Sequence, residues 1–297
     1  MILAPLRGVT IRCFREVFAD VIRDAGFTEA ITPFVPANRG YDPLKDRELR
    51  DEGPETEDGR RELRVTPQFI GKDPEALREC LLKVKAAGYD TADLNAGCPY
   101  PMVRRKGRGS GLLRTPDVLR RMLEVGCETM GPCRFSIKAR LGVDRPDELL
   151  GLMPMINEFP LRFLTVHART ARQMYDGVCD AKGLEEVWKI AKVPIVINGD
   201  IPFPPTEHLV TSQLRKFANS QIMIGRSFVR WLGSREDSAE LLRRYIAASQ
   251  EELSGDRSVL GRLKELIAYW KDLPRWRRRW SVIKICRTVD ELRACLI

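Results

Sequence analysis

Cys98 is the residue that the sequence singles out most clearly for chemistry, because it stands between Gly97 and Pro99 directly after an apolar run. A thiol in such a loop could act as a proton donor or as a nucleophile. A free cysteine is also commonly a small buried hydrophobic residue, and for the other seven cysteines that interpretation is favoured. For Cys98, context alone leaves both interpretations open.

Three further side chains stand at the ends of other apolar runs. Lys138 and His167 follow neighbouring runs and could converge on one ligand. The lysine could form a Schiff base or pair with an anion, and the histidine could instead be a satisfied core residue. Gln68 offers a donor and an acceptor to the edge of a heterocycle, although a buried glutamine bonded to backbone is the competing interpretation.

The last two apolar runs predict a phosphate site. Gly199 and Gly225 would let backbone N–H groups approach an anion without a Cβ in the way. Arg226 could add a charge-assisted hydrogen bond. A structural turn is the alternative for Gly-Arg alone, but its position after the eighth run, together with Asn198-Gly199-Asp200, favours phosphate binding.

The elements that position these residues are short apolar runs alternating with longer helical patterns. The runs show little polar alternation, as expected for parallel strands buried on both faces. Their number and spacing predict a (β/α)₈ TIM barrel, in which catalytic residues lie at the carboxyl ends of the strands. The eight runs are Ile2–Leu6, Phe27–Phe34, Val65–Gly71, Thr91–Gly97, Phe135–Leu141, Phe163–Arg169, Ile195–Asp200 and Gln221–Arg226.

Helix boundaries follow from capping signals between the runs. Asp73-Pro74-Glu75 predicts a helix that reaches about Ala87, and Thr115-Pro116-Asp117 predicts one that ends near Gly126. Residues 146–158 and 183–192 are also expected to be helical. The charged stretch 36–64 fits no regular unit, and we interpret it as a surface excursion with some helix.

After Arg226 the strand signals stop, and three helical patterns follow at 236–252, 257–271 and 275–296. We therefore expect a barrel domain over 1–234 and a small α-helical domain over 235–297. The stretch 257–287 holds ten Lys or Arg and two acids, so it carries +8 of the chain's net +9. That charge is a solvated helix face or a polyanion-binding surface. Its tryptophans could be core anchors or could stack on bases; we expect the tryptophans to be mostly core anchors and the arginines to be mostly phosphate contacts.

Composition excludes several classes of protein. With 43% hydrophobic and 31% charged residues, the 297-residue chain can bury a large core and is not disordered. No apolar run of about 18 residues predicts a membrane span, and no signal peptide is visible. The eight cysteines lack a CxxC spacing and only two histidines occur, which argues against disulfides and metal sites. We expect a cytoplasmic, monomeric protein without metal.

The motifs taken together resemble those of the tRNA-dihydrouridine synthases, over essentially the whole chain. Leu6, Arg7 and Ser110 depart from the commoner residues of that family. The cysteine motif and the His-Ala-Arg-Thr motif are the specific parts of the resemblance. The matching segments are 93–113, 3–10, 166–170 with Gln173 and Tyr175, 198–201 and 224–226.

This resemblance implies an FMN-binding barrel followed by a helical tRNA-binding domain. Gln68 and Lys138 would address the flavin ring, with His167 beside it. The other implied flavin contacts are Pro5, Leu6 and Arg7 along the first strand end, and Asn198, Gly199, Asp200, Gly225 and Arg226 at the ribityl chain and phosphate. The implied tRNA contacts are Asn95, Arg169, Arg275, Arg277, Arg278, Arg279 and Lys284.

The resemblance also implies a reaction, the reduction of the C5–C6 bond of specific tRNA uridines. NADPH would recharge the flavin, reduced FMN would give a hydride from N5 to C6, and Cys98 would give the proton to C5. The stacked uracil would have to be extruded into the barrel mouth. A flavoenzyme acting on a free pyrimidine, and a non-catalytic tRNA-binding protein, are the alternatives.

Overall fold

The computed structural model describes residues 1–49, 63–205 and 221–296. Within these ranges all strands are parallel and belong to one sheet, ordered β3-β5-β6-β7-β8-β9-β10-β1-β2-β4. The strands are β1 Ile2–Leu3, β2 Glu29–Ile31, β3 Val35–Pro36, β4 Arg64–Thr66, β5 Gln68–Ile70, β6 Ala92–Ala96, β7 Phe135–Gly142, β8 Leu164–Thr170, β9 Ile195–Asn198 and β10 Gln221–Ile224.

The sheet closes into a barrel through two interrupted strands. Strands β2 and β3 are successive pieces of one chain segment, and β4 and β5 are another such pair, broken at Pro67. At one end of the sheet β3 pairs with β5, and at the other end β2 pairs with β4. The same two chain segments are therefore paired at both ends, which closes the sheet into a barrel. The eight predicted runs therefore form one eight-stranded barrel with helices around it, and the predicted fold class is confirmed.

The parallel register brings polar residues to one level at the carboxyl end of the barrel. Asn95 is opposite Lys138, and His167 is opposite both Arg140 and Asn198. Residues distant in sequence therefore become neighbours through backbone pairing alone. A small separate apolar cluster lies on the strands and includes Ile2, Ile31, Phe163, Val196 and Met223.

Helices follow the strands in the pattern that the sequence predicts. Asp73 caps the third of them through hydrogen bonds from the backbone N–H groups of Glu75 and Ala76. No helix in the described ranges is long and apolar enough to cross a membrane. The helices that precede the tail are α1 Arg12–Val17, α2 Ala19–Asp24, α3 Pro74–Ala86, α4 Pro101–Arg104, α5 Pro116–Met130, α6 Glu148–Ile156, α7 Ala181–Ile190 and α8 Arg226–Ser234.

Helix α5 continues one turn beyond its predicted end at Gly126. A Cβ on Gly126 would stand 2.1 Å from the ring of Phe135, so this glycine serves close packing against β7. The helix ends instead at Gly131, which has a φ of +101°. The prediction failed because a glycine needed for close packing has the same sequence signal as a helix stop.

The charged excursion 36–64 is described only in part. A short 3₁₀ helix at Pro43–Lys45 begins after Asp42, whose carboxylate accepts a hydrogen bond from the N–H of Leu44. This agrees with the expectation of some helix. The centre of the excursion, residues 50–62, lies outside the described residues.

The tail holds four helices where three were predicted. They are α9 Ser238–Glu252, α10 Asp256–Ile267, α11 Pro274–Ile283 and α12 Val289–Ala294. The predicted helix at 275–296 is divided because Thr288 begins a new one with a capping box: its side chain accepts from the N–H of Glu291, and the Glu291 carboxylate accepts from the N–H of Thr288.

The tail packs closely against α8 through two buried tryptophans. The indole N–H of Trp270 donates to the carbonyl of Val229 at 2.7 Å, and that of Trp276 donates to the carbonyl of Gly233 at 2.8 Å. A Cβ on Gly233 would meet the Trp270 ring at 2.3 Å. Both indoles are fully buried and belong to the same apolar core as the barrel helices, which agrees with their prediction as core anchors.

Candidate functional site

Cys98 is held in place from both sides. The side-chain oxygen of Asn95 accepts hydrogen bonds from the N–H groups of Gly97 (3.1 Å) and Cys98 (2.8 Å). The backbone and hydroxyl of Ser110 both donate to the carbonyl of Cys98. Burial raises the pKa of the thiol above its ordinary value, so Cys98 stays protonated at neutral pH.

A buried chain of hydrogen bonds lies behind Asn95. The Asn95 amide donates to Gln68, and the Gln68 amide donates to Asp93, each at 2.8 Å. Ser136 donates to the second oxygen of Asp93 at 2.6 Å. Burial raises the pKa of Asp93 to about 6, although both donors oppose that shift. Sequence analysis missed Asp93, whose signal was a carboxylate inside an apolar run.

Lys138 and Asn198 form the next pair. The Lys138 ammonium donates to the side-chain oxygen of Asn198 at 3.0 Å, and the Asn198 amide donates to the carbonyl of Met223 at 2.9 Å. Burial and the neighbouring charge of Arg140 lower the pKa of Lys138 to about 8. The lysine therefore carries its charge at neutral pH and loses it in mild alkali.

His167 is neutral at physiological pH. It is 6% exposed, and burial, followed by the charges of Lys138, Arg140 and Arg169, moves its pKa far below the ordinary value. A ring nitrogen lies 3.2 Å from the guanidinium of Arg169. A neutral imidazole keeps one N–H donor and one acceptor, so it can bond a ligand without adding charge.

Arg140 is a buried cation that sequence analysis did not assign to the site. Its guanidinium donates to the carbonyls of Gly97, Thr170 and Met174, at 2.9, 2.9 and 2.6 Å. It also lies over the ring of Tyr175, 5.4 Å from the centroid. The available signal was its spacing, because residues two apart on a strand share a face and Lys138 is two residues earlier.

The carboxyl ends of β9 and β10 bring together the residues that were predicted for an anion site. Gly225 precedes α8, and no side chain of the described residues caps that helix, so within those residues its first N–H groups have no side-chain acceptor. Gly199 has a φ of +114°, and a Cβ there would stand 2.8 Å from the His167 ring. Arg226 supplies a cation at the same place and pairs with Asp200 at 3.1 Å.

A pocket of about 770 Å³ at the carboxyl end of the barrel is lined by Asn95, Cys98 and His167 and by the residues after β9 and β10. That volume is within the range of small-molecule and cofactor sites. The part of its wall that comes from the barrel includes Ala4, Phe34, Tyr100, Arg140, Tyr175, Met223 and Ile224. Sequence analysis missed the part that comes from the tail, namely Glu265, Ala268, Tyr269 and Asp272.

The structure brings most of the predicted site residues together, with some exceptions. Those that line the pocket are Pro5, Leu6, Arg7, Asn95, Cys98, His167, Asn198, Gly199, Asp200, Gly225 and Arg226. Gln68 and Lys138 do not line the pocket, but they are hydrogen-bonded to Asn95 and Asn198, which do. Arg169 is also outside it, and its buried guanidinium bonds Asp200 and the carbonyl of Gly177. Outside the pocket wall are Arg275, Arg277, Arg278, Arg279 and Lys284.

Solved structures with the same barrel fold agree with this architecture. An old yellow enzyme homologue from Zymomonas mobilis matches with a TM-score of 0.52 at 14% identity, covering 77% of this chain and 85% of that one. Morphinone reductase matches with a TM-score of 0.52 at 12% identity, covering 77% and 82%. At these identities the likeness concerns the fold alone.

An eight-stranded barrel with glycines, an arginine and the start of a helix after its last two strands is typical of barrels that hold phosphorylated ligands. The chain belongs to the dihydrouridine synthase family, whose model matches residues 2–231.

Curated relatives agree with that family assignment. A tRNA-dihydrouridine synthase B of Vibrio cholerae is 28% identical over 227 residues, covering 76% of this chain and 66% of the relative. A probable tRNA-dihydrouridine synthase of Staphylococcus aureus is 30% identical over 231 residues, covering 76% and 67%. A tRNA-dihydrouridine(16) synthase of Ralstonia nicotianae is 30% identical over 206 residues, covering 68% and 61%. The match spans about two thirds of the length of these relatives.

Proposed function

We propose that this protein reduces the C5–C6 bond of specific uridines in tRNA, with FMN as its cofactor and NADPH as reductant. The observation that carries the proposal is the shared pocket: a protonated thiol, a neutral imidazole and an anion site line it. Family membership supports the same conclusion.

The residues present suit a flavin mononucleotide. The N–H groups in the first turn of α8, which no side chain of the described residues caps, and the guanidinium of Arg226 suit a phosphate. Gly199 and Gly225 let the backbone run close to its neighbours in this part of the pocket, since a Cβ on Gly225 would stand 3.0 Å from Ala4. We assign Pro5, Leu6 and Arg7, with Gln68, Lys138, His167, Asn198 and Asp200, to the remainder of the flavin site. When bound, a reduced flavin supplies the hydride.

The chain's own residues would supply the proton and the orientation. Cys98 donates a proton to C5 of the uracil as its general acid. Burial favours that role because it keeps the thiol protonated. The hydrogen bonds from the Gly97 and Cys98 N–H groups to Asn95 keep the loop in one conformation. We assign Asn95 and Arg169 to the uridine. Asn95 lines the pocket, and Arg169 is hydrogen-bonded to Asp200, which also lines it.

The helical segment 235–297 is proposed as the tRNA-binding domain beside the barrel domain 1–234. Arg278 and Lys284 on its surface are exposed, and phosphate contacts are the expected use of such cations. Arg275, Arg277 and Arg279 are proposed to contribute to the same surface. The protein is proposed to act in the cytoplasm as a monomer.

The test uses the full chain, purified and supplied with FMN. We expect flavin absorbance, and dihydrouridine by mass spectrometry after incubation with NADPH and unmodified tRNA. Cys98→Ala should keep the flavin and lower the rate about 10²- to 10⁴-fold, the usual contribution of a general acid. Cys133→Ser, at an exposed cysteine, is the matched control. Absence of flavin binding, or full activity in Cys98→Ala, would overturn the proposal.

A further inference from the structure

The segment Tyr100–Arg108, which follows Cys98 and is called the rim segment below, has unusual apolar exposure. Tyr100 lines the pocket and is 49% exposed, and Met102 is 82% exposed. Large apolar side chains exposed beside a pocket are typical of a surface that meets a partner. The backbone around them is ordered by α4 and by the bond from the N–H of Arg104 to the carbonyl of Tyr100.

The rim segment is also strongly basic. Arg104, Arg105, Lys106 and Arg108 occur within five residues, and the segment holds no acid. Across residues 1–49, 63–205 and 221–296, no carboxylate pairs with any of these four cations. Arg108 donates to the side chain of Asn38 at 2.9 Å, while Arg105 and Lys106 are exposed. An anionic partner would therefore find cations here that no carboxylate of the described residues neutralises.

Several cations of the tail, in contrast, are bound within the protein. Arg262 is buried and pairs with Glu252 at 2.5 Å. Lys264 donates to the carbonyl of Cys286 at 2.7 Å, and Arg275 donates to the carbonyl of Arg235 at 3.3 Å. The net charge of the tail therefore overstates the number of cations that it can offer to a polyanion.

The pocket lies between these two basic surfaces. Tyr100 from the rim segment and Tyr269 from the tail both line it. Tyr175, a third lining tyrosine, has the guanidinium groups of Arg140 and Arg226 over its ring, 5.4 and 5.1 Å from the centroid. A nucleotide that enters the pocket leaves nucleotides on either side of it, so an RNA strand has to be held on both flanks.

We propose that the rim segment is a second RNA-binding surface, in which Arg104, Arg105 and Lys106 contact phosphates and Tyr100 stacks on an unpaired base next to the nucleotide in the pocket. Aromatic side chains among cations are the usual means of binding unpaired RNA. The inference rests on the proposed function and adds a barrel-side contact to the one assigned to the tail.

The charge part of the proposal is tested by the salt dependence of tRNA binding. The rim variant carries Arg104→Ala, Arg105→Ala and Lys106→Ala in the full chain. If each cation meets a phosphate, the slope of log K against log salt becomes shallower by about two units, at about 0.7 per contact to a single strand. The control variant removes the same charge from exposed positions outside the pocket wall, with Arg121→Ala, Lys182→Ala and Lys192→Ala, and should keep the wild-type slope. Equal slopes in both variants would refute the phosphate contacts.

The stacking part is tested at Tyr100. Tyr100→Ala should weaken tRNA binding about fivefold or more, and Tyr100→Phe should bind like the wild type, because stacking needs the ring and not the hydroxyl. Flavin absorbance in each variant reports that the pocket is intact. Wild-type affinity in Tyr100→Ala would refute the stacking. A wild-type protein that binds flavin but no tRNA would instead refute the proposed function.

Discussion

Cys98 shows how a single residue obtains its chemistry from its neighbours. Its sequence context left open whether it is a reactive thiol, acting as an acid or as a nucleophile, or a small buried hydrophobic residue. Burial raises its pKa, and this favours the acid, since nucleophilic chemistry needs the thiolate. The buried chain of hydrogen bonds from Asp93 through Gln68 orients the side chain of Asn95. Asn95 in turn accepts hydrogen bonds from the Cys98 loop, so this network holds the thiol in position.

Lys138 provides a test at the scale of one residue. Its pKa of about 8 means that the charge is present below pH 8 and lost above it. If Lys138 contacts the flavin, the visible spectrum of the bound flavin should change with a midpoint near pH 8. Lys138→Met should abolish that change, and Lys138→Arg should move it beyond the alkaline end of the titration, because arginine keeps its charge. A spectrum that titrates identically in all three proteins would contradict the contact.

Gly199 provides a second test, because comparison with Gly177 separates the effect of a positive φ from the effect of the atoms around the glycine. A Cβ there would stand 2.7 Å from the Cys179 sulfur and 2.8 Å from the His167 ring. Gly177 also has a positive φ, +67°, but a Cβ there would meet only Gln173 at 3.5 Å. We expect Gly199→Ala to lower flavin affinity more than Gly177→Ala, measured by fluorescence titration. Equal losses would mean that backbone strain alone is responsible.

At the scale of elements, some helix boundaries were predicted correctly and others were not. Asp73 and Pro74 begin α3 as predicted, because an N-cap side chain and a fixed φ act within one turn. Gly126 was misassigned because its role depends on Phe135, which reaches it only after β7 has paired in the barrel. The Asp73 cap was predictable from the sequence and the packing role of Gly126 was not, while the Thr288 capping box was missed although its signal is local.

The contact between α8 and the tail predicts a clear stability difference between two glycines. A Cβ on Gly233 would stand 2.3 Å from the Trp270 ring, and a Cβ on Gly261, on the exposed side of α10, would meet nothing within 4 Å. Gly233→Ala should lower the free energy of unfolding by about 1–3 kcal/mol through overpacking. Gly261→Ala should leave it unchanged or raise it by up to about 1 kcal/mol. Denaturant unfolding measures both, and equal effects would contradict the packing.

At the scale of the whole molecule, the barrel and the tail share one apolar core. Tyr245 of the tail packs against Phe14 of α1 and against Phe18, which lies between α1 and α2, with ring centroids 6.2 and 5.5 Å apart. The pocket also takes part of its wall from the tail. Removing the tail would therefore damage the pocket, so truncation does not separate a tRNA reductase from an enzyme of free pyrimidines. Assays with tRNA and with free uridine on the intact chain do so.

The shared core predicts one cooperative unfolding transition for the full chain. Residues 1–234 alone would expose the α8 surface that Trp270 and Trp276 cover, and should be insoluble or lack a cooperative transition. Thermal unfolding followed by circular dichroism measures this. Two separated transitions in the full chain, or a well-folded 1–234 fragment, would show that the tail is energetically independent.

The sequence by itself determined the barrel, its strand order and most of the residues that surround the pocket. It could do so because buried parallel strands and their polar carboxyl ends leave a local pattern in the chain. Only the tertiary structure decided that Arg140 and Glu265 also line the pocket, that Gln68 stands behind it, and that much of the tail's charge is engaged within the protein. The reason is that net charge and composition are sums, whereas pKa, burial and pairing depend on which distant residues folding brings into contact.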